Sequence, residues 1–334
     1  MGDGAGSVRV AFWNTWLLRP RLWPGGPAIP GGDTWFAPEV VRRAPLVGAA
    51  VRDRFDVIAL GECFEDSEQE AVGAAWPEAT LVPGPTRHGI RTTGSGLVTL
   101  VDPATVQLVH TVTHAFRSGG DLRDSDTFAT KGALLTRVRV DDVGELDVFS
   151  THLLAGGDLL PLPGAADSDR HHAARMRQVD ELVSFMERER RPSNPMLLVG
   201  DLNVCAHDHH ESLRHPADRY EDLAVRLRRI GLRDLWASDG VGAGHSCSFH
   251  DPSDLPADPD EPDQVADDPD GDPATSPGER IDYLWLAPAA DGHVTVDVDR
   301  PRRWAFTGRG ARGGPAGSLS DHLALSVTLH LRPA

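Results

Sequence analysis

The chain is poor in the residues that would tie it to several protein classes. Its 334 residues hold three cysteines, Cys63, Cys205 and Cys247, far apart and without a C-x-x-C pair. Neither a disulfide framework nor a thiolate zinc site is indicated. A basic excess is also missing: 33 Lys and Arg stand against 50 Asp and Glu, a formal net charge of -17. Nonspecific nucleic-acid affinity comes mostly from cations on phosphates, so no obligate nucleic-acid partner is expected. No apolar run is long enough to span a bilayer. Met1 to Ser7 carries neither a basic nor an apolar signal region, and Gly6 stands where a myristoylation signal needs Ser or Thr. A soluble, cytoplasmic protein is expected, with a monomer as the default.

What is present is an alternation of apolar strands and amphipathic helices. Val8 to Trp13, Asp56 to Leu60 and Met196 to Val199 read as strands buried on both faces. An antiparallel pattern runs through Leu97–Val101, Thr105–Val112, Ala133–Val140 and Glu145–Ser150, and resumes at Arg280–Leu286, Val294–Val298 and Leu323–Leu331. Helices are expected over Pro38–Arg54, with a kink or break at Pro45, and over Glu68–Ala75, Ser168–Arg190 and Pro216–Ile230. Asp251 to Gly278 is dense in Asp and Pro and reads as a solvated, disordered insertion spanning about 251–279. With no linker midway, the expectation is one α/β domain over 1–334. It is a four-layer sandwich, two mixed and mostly antiparallel sheets face to face with helices outside.

Polar residues collect where buried strands end. Asn14 follows the first, Gly61-Glu62 the second, and His152 the strand ending at Ser150. Asp201 and Asn203 follow Met196–Gly200, where Gly200 marks a bend or a close approach, and two residues apart on extended chain point the same way. Asp282 interrupts an apolar strand, and Asp321-His322 opens the last one. Singly, each has a structural explanation: an Asx turn, a core histidine, a solvated cap. Together they suit hydrolysis at phosphorus. Glu62 with Asn14 supplies hard oxygen ligands for a divalent ion, favouring Mg²⁺ over zinc, with Mn²⁺ or Co²⁺ as substitutes. A histidine beside a carboxylate can act as general base on water, and a second can donate to a phosphoryl oxygen.

In order, Trp13-Asn14-Thr15, Gly61-Glu62, Thr151-His152-Leu153, Gly200-Asp201-Leu202-Asn203, Ile281-Asp282-Tyr283 and Ser320-Asp321-His322 resemble the endonuclease/exonuclease/phosphatase superfamily. The set covers nearly the whole chain. Within that superfamily the chain is most similar to neutral sphingomyelinases of the bacterial type, through Glu62-Cys-Phe64, Gly94-Ser-Gly-Leu-Val98, Ala129-Thr-Lys-Gly132 and Ser150-Thr-His-Leu-Leu154. The resemblance implies a DNase I-like sandwich and a metal-dependent phosphodiesterase of phospholipase C type. It implies Glu62 as principal metal ligand with Asn14 beside it, and His322 as general base oriented by Asp282 or Asp321. It implies Asp201 positioning the nucleophile or a second ion, Asn203 and His152 holding phosphoryl oxygens, and Lys131 reaching a phosphate. The substrate would be a phosphodiester, with a phospholipid as one form.

Departures temper the lipid reading. Gly61 stands where the family usually has Gln before the metal-binding Glu, and the exposed aromatic hairpin of secreted sphingomyelinases is not found. The acidic insertion would be repelled by anionic lipid. A sugar or inositol phosphatase and an endonuclease remain alternatives on the same scaffold, and a binding protein without catalysis is a third. Gly308–Gly313 spells G-x-G-x-x-G without a strand before it or a helix after it, so a dinucleotide site is rejected, although Arg309 and Arg312 could touch an anionic substrate. His207-Asp-His-His210 reads as a polar loop, and His171-His172 as solvated. Trp13, Trp16, Trp23 and Trp35 fit a substrate pocket or ordinary packing equally.

Overall fold

A computed structural model describes residues 6–21, 23, 26–32, 36–87, 91–120, 129–140, 143–156, 168–207, 218–308 and 317–334. In β1 (Gly6–Leu17) the side chains alternate between two apolar environments: Val8, Val10 and Phe12 face one core, Ala11 and Trp13 another. Both faces of the strand are therefore apolar, which is why it reads as a continuous run. The same holds for β2 (Val57–Cys63) and β8 (Met196–Asp201).

Two sheets result. The first has the order β13 (Val294–Val298), β15 (Ala324–Pro333), β1, β2, β4 (Val98–Val101), β3 (Thr80–Pro83), and β14 (Arg302–Trp304) also pairs with β15. The second runs β5 (Gln107–Ala115), β6 (Gly132–Val140), β7 (Gly144–His152), β8, β12 (Asp282–Ala287), β9 (Arg233–Asp234). Pairing is antiparallel except for β1 with β2 and β7 with β8. The sheets face each other across a core of Val, Leu and Phe from both. Outside the first lie α1 (Val40–Val51) and α2 (Asp66–Ala75); outside the second lie α3 (Ser168–Glu189) and α4 (Asp218–Arg228). A short α5 (Leu235–Asp239) is capped by Asp234, whose side chain accepts from Trp236 N and Ala237 N. The four-layer sandwich is the expected one. Among the described residues no helix is long and apolar enough to cross a membrane.

Of the kink or break expected at Pro45, the break is not found: helix α1 runs through Pro45, with Val40 and Ala44 before the proline and Val47 and Val51 after it packed into one cluster against the first sheet. The Asp/Pro-rich insertion, expected to be disordered, has a defined path. Asp251 and Asp272 each cap a single helical turn, Pro252–Asp254 and Pro273–Thr275. Val265 is buried, and Val265 N donates to Arg303 O at 2.8 Å. Its acids meet arginines: Glu261 and Asp263 pair with Arg54, and Asp267 with Arg300 and Arg302. Part of the charge density that suggested disorder is offset by arginines of the body of the protein. Its base is the ribbon of β10 (Cys247–Ser248) and β11 (Gly278–Glu279).

Helices α1 and α2 touch where Gly48 sits. A Cβ there would lie 2.2 Å from Val72 O and 2.9 Å from Ala75 Cβ. Gly48→Ala gains about 1 kcal/mol of helix propensity, but the clash with backbone costs about 1–3 kcal/mol. A net loss of stability is therefore expected in urea unfolding, and a gain would contradict the close packing.

Candidate active site

Strand register assembles the site. In the second sheet Asp201 lies beside His152 on one side and Asp282 on the other. In the first, Asn14 lies beside Gly61. Asn14 shares the alternation of Phe12, His152 that of Val148, Asp201 that of Val199 and Asp282 that of Leu284, all inner-face residues. All four therefore project between the sheets. Glu62 has the opposite alternation, that of the helix-facing Leu60. Its left-handed backbone, φ 56°, breaks the pleat and turns the carboxylate inward.

Asn14 joins the sheets: its Nδ2 donates to Glu62 Oε1 at 3.2 Å and to Asp201 Oδ2 at 3.0 Å. Its Oδ1 accepts from Trp16 N at 3.1 Å, so the amide nitrogen is a donor between two carboxylates. Burial, then the charge of Asp282, pushes the Asp201 pKa up to about 7. Burial and Asp321 likewise raise that of Glu62. Asn203 does not point with Asp201. The chain turns at φ 51°, Asn203 N donates to Asp201 Oδ1 at 2.9 Å, and its Nδ2 donates to Leu153 O at 3.2 Å. The Asx turn is real and holds Asp201. Gly200 permits close approach, since a Cβ would meet Thr151 O at 2.2 Å.

His152 Nε2 lies 3.6 Å from Asp201 Oδ2, 4.0 Å from Glu62 Oε1 and 3.3 Å from Lys131 Nζ. Burial, with the positive charges of Lys131 and His322, keeps its pKa well below the usual imidazole value. His152 is thus held neutral, with Nε2 placed to accept from Lys131. Lys131 arrives because Gly132, the next residue, pairs in register with His152.

His322 Nδ1 and Asp282 Oδ2 are 2.8 Å apart, so of the two candidate partners Asp282 orients the ring. Asp321 instead bonds Ser320 Oγ at 3.3 Å and acts on Glu62 by charge. Burial opposes protonation of His322, yet Cys247 and Asp282 outweigh it and raise its pKa well above the usual value. Burial holds Cys247 as a thiol, its pKa pushed up to about 11, so the Asp282 carboxylate is the charge responsible. The dyad is braced by Trp13 Nε1, which donates to His322 O at 3.0 Å, and by His322 N donating to Ser320 Oγ at 3.1 Å. Asp282 N donates to Ser246 Oγ at 2.9 Å.

Among the described residues, Asp201, Asp282 and His322 bring possible ligand atoms within 4.8 Å of one another. His322 and Asp282 are bonded through Nδ1 and Oδ2, so the carboxylate oxygens that could meet a cation are those of Glu62 and Asp201 and the unpartnered Asp282 Oδ1. Their donor set fits a hard divalent ion: buried oxygens with raised pKa values converge on one amide nitrogen, and Asp282 Oδ1 is buried without a partner.

Sequence reasoning missed Ser246, a loop residue without a pattern, and Arg43. The Arg43 side chain is fully buried and donates to four carbonyls: Pro38 O at 2.8 Å, Thr15 O at 3.0 Å, Leu319 O at 2.6 Å and Trp16 O at 2.5 Å. Its signal was present: an arginine between Val40, Ala44 and Val47 on the apolar stripe of α1. His207 Nε2 lies 3.1 Å from Ala243 O, and His172 Nε2 lies 3.1 Å from Asp222 Oδ2. Trp13 is core, whereas Trp23 is exposed. Residues 208–210, Trp35, Arg309, Arg312 and the rest of Gly308–Gly313 beyond Gly308 lie outside the described residues.

No family model matches the sequence, and no curated protein does either. Solved structures do match. An endonuclease/exonuclease/phosphatase family protein from Bacteroides thetaiotaomicron is 15% identical, covering 98% of this chain and 96% of its own, with TM-score 0.59. The fold is that of the endonuclease/exonuclease/phosphatase proteins. Sphingomyelinase C from Streptomyces griseocarneus shares it at 17% identity, 96% and 99% coverage and TM-score 0.59. A variant of beta toxin from Staphylococcus aureus with bound magnesium ions shares it at 14% identity, 96% and 99% coverage and TM-score 0.63.

In this endonuclease/exonuclease/phosphatase fold Arg43 ties the end of β1, which carries Asn14, to the segment that carries His322. Arg43→Met is expected to lower kcat by about 10-fold to 100-fold through misplacement of the two halves, with KM changed far less. Equal kcat in the variant would contradict this positioning role.

Proposed function

We propose that the protein is a metal-dependent phosphoric ester hydrolase acting on a phosphodiester. The observation that carries this reading is the His322–Asp282 pair, 2.8 Å apart, set beside the cluster of half-buried Glu62 with buried Asn14 and Asp201. Glu62 and Asp201 would hold a divalent cation, Mg²⁺ by the hardness of their oxygens. When bound, it supplies charge that neutralises the phosphate and steadies the developing oxyanion.

The chain's own residues do the rest. Asp282 fixes the proton of His322 on Nδ1, leaving Nε2 to take a proton from water. The water oxygen forms a bond to phosphorus as the bond from phosphorus to the leaving oxygen breaks. His322 must be neutral to accept that proton, and the acidic cluster that raises its pKa is the charge a cation would offset. Lys131 and His152 would bear on the phosphoryl oxygens, Lys131 as a point charge. Asn203 would contribute by holding Asp201 in place.

For the substrate, the motif order and the fold shared with sphingomyelinase C support a sphingomyelinase-like reading of phospholipase C type. A second reading, an ester of a sugar or polyol, is favoured by a hydroxyl-lined cavity beside the site. The net charge of -17 weighs against an endonuclease.

The test is a substrate panel of sphingomyelin, an aryl phosphodiester, a phosphomonoester and duplex DNA, with Mg²⁺ and with EDTA. Diester hydrolysis is expected with Mg²⁺ and is lost in EDTA. His322→Ala should lower it by about 10²-fold to 10⁴-fold, the usual worth of a general base. Full turnover in EDTA, or in His322→Ala, would refute the mechanism.

A further inference from the structure

The His322–Asp282 pair spans the two sheets, with Asp282 on β12 of the second and His322 just ahead of β15 of the first. One hydrogen bond between side chains does not by itself fix how far apart their backbones sit. The second sheet is also thin at Asp282. Strand β8 flanks β12 from Asp282 to Ala287, but β9 on the other side reaches only Trp285 and Leu286. Buried amide donors at such a strand end need an acceptor from elsewhere. Ser246 supplies it. The residue is fully buried, and its Oγ accepts from Asp282 N at 2.9 Å and from Ile281 N at 3.2 Å. Its own hydroxyl proton is directed to Glu279 O at 3.5 Å.

Through its main chain the same residue is bound to the other half of the pair. Ser246 O accepts at 2.6 Å from the N–H of Leu323, the residue after His322, and Ser246 N donates to Glu279 O at 2.8 Å. The next two residues continue the contact: Cys247 lies opposite His322 as an isolated bridge, and Ser248 N donates to Asp321 O at 3.0 Å. On its other edge the segment pairs with β11, Cys247 with Glu279 and Ser248 with Gly278. One residue thus holds the backbone on both sides of the dyad, its hydroxyl toward Asp282 and its carbonyl toward the segment of His322. Truncating the side chain would release Asp282 and leave the main-chain bonds to Leu323 and Glu279 in place.

We infer that Ser246 is a positioning residue for the reaction, its hydroxyl holding the start of β12 where Asp282 meets His322 Nδ1 at hydrogen-bond length. The inference rests on the hydrolase reading and adds to it the group that sets the dyad's geometry. Transfer of a proton from water to His322 depends on how the ring is aimed, and a misplacement of about 1 Å costs about 10²-fold in rate. A serine that only satisfied two amides would matter for stability and leave turnover alone.

The experiment compares wild type, Ser246→Ala, His322→Ala and the double variant on bis(p-nitrophenyl) phosphate with Mg²⁺, at a temperature where circular dichroism shows each folded. Ser246→Ala should lower kcat by about tenfold or more, with KM within about twofold. In the His322→Ala background it should add no further loss, because the pair it serves is already gone. Unchanged kcat in Ser246→Ala overturns the inference. So does the same fractional loss with His322 present and absent, the mark of a general structural effect. If the alanine variant does not fold, Ser246→Cys replaces it, close in shape but a weaker acceptor. A kcat loss that needs His322 upholds the inference there, and no loss overturns it. Proton NMR reads the pair without turnover. The Nδ1 proton held between His322 and Asp282 should give a downfield resonance in wild type that His322→Ala lacks and Ser246→Ala shifts or loses. If the wild type hydrolyses no ester, the hydrolase reading has failed and this resonance decides alone. Its shift or loss in Ser246→Ala upholds the positioning role, whereas an unchanged resonance, or none in wild type, overturns it.

Discussion

More carboxylates than positive charges gather where the two sheets meet, Asp201 and Asp282 buried and Glu62 and Asp321 partly so. Glu62, Asp201, Asp282 and Asp321 converge on a space that Lys131 and His322 face. Removing a carboxylate from water is costly unless it is paired, and the cost shows as a change in protonation. The protein bears it in three ways. Asp201 and Glu62 have raised pKa values, His322 holds its proton more strongly, and Asn14 divides one amide between two carboxylates. One divalent cation placed among these carboxylates would relieve most of that repulsion.

The fold supplies the positions. Residues that end neighbouring strands lie abreast, so register alone sets His152, Asp201 and Asp282 side by side. Joining the second sheet to the first needs more than register. Asn14 to Asp201 and His322 to Asp282 bridge the sheets, while within the first sheet Ser320 Oγ donates to Asn14 O at 2.7 Å and Arg43 holds the end of β1 to the segment before β15 through backbone carbonyls. These contacts are what an allosteric or destabilising change would have to disturb to separate Glu62 from His322.

Much of this was legible in the sequence, for physical reasons that differ by element. Strand β8 and its terminal Asp201 were readable because a strand buried on both faces is all apolar until it stops. Helix α3 was readable from its apolar stripe. Strands β3, β9 and β14 are too short to show a period, and their pairing depends on neighbours distant in sequence. The insertion misled because its neutralising arginines, Arg54, Arg300 and Arg302, lie outside it. The choice between Asp282 and Asp321 as partner of His322 could not be read from spacing, since the 40-residue separation from Asp282 closes only in the folded chain. The inward turn of Glu62 was equally hidden: its alternation points to the helices, and only a left-handed backbone reverses it.

The most direct test of the account is whether the buried acidic cluster binds a cation, read as the thermal-unfolding midpoint with and without Mg²⁺. Asp201 ionises near 3.8 when exposed and near about 7 when folded, so between these values the folded chain holds a proton the unfolded chain has lost. Stability from this group therefore falls as pH rises through that window, and above it the cluster carries its full repulsion. Mg²⁺ should raise the midpoint clearly at pH 8 and much less at pH 5, and Glu62→Gln or Asp201→Asn should each remove most of the gain. No shift at saturating Mg²⁺, or a shift of equal size in both variants, would contradict it.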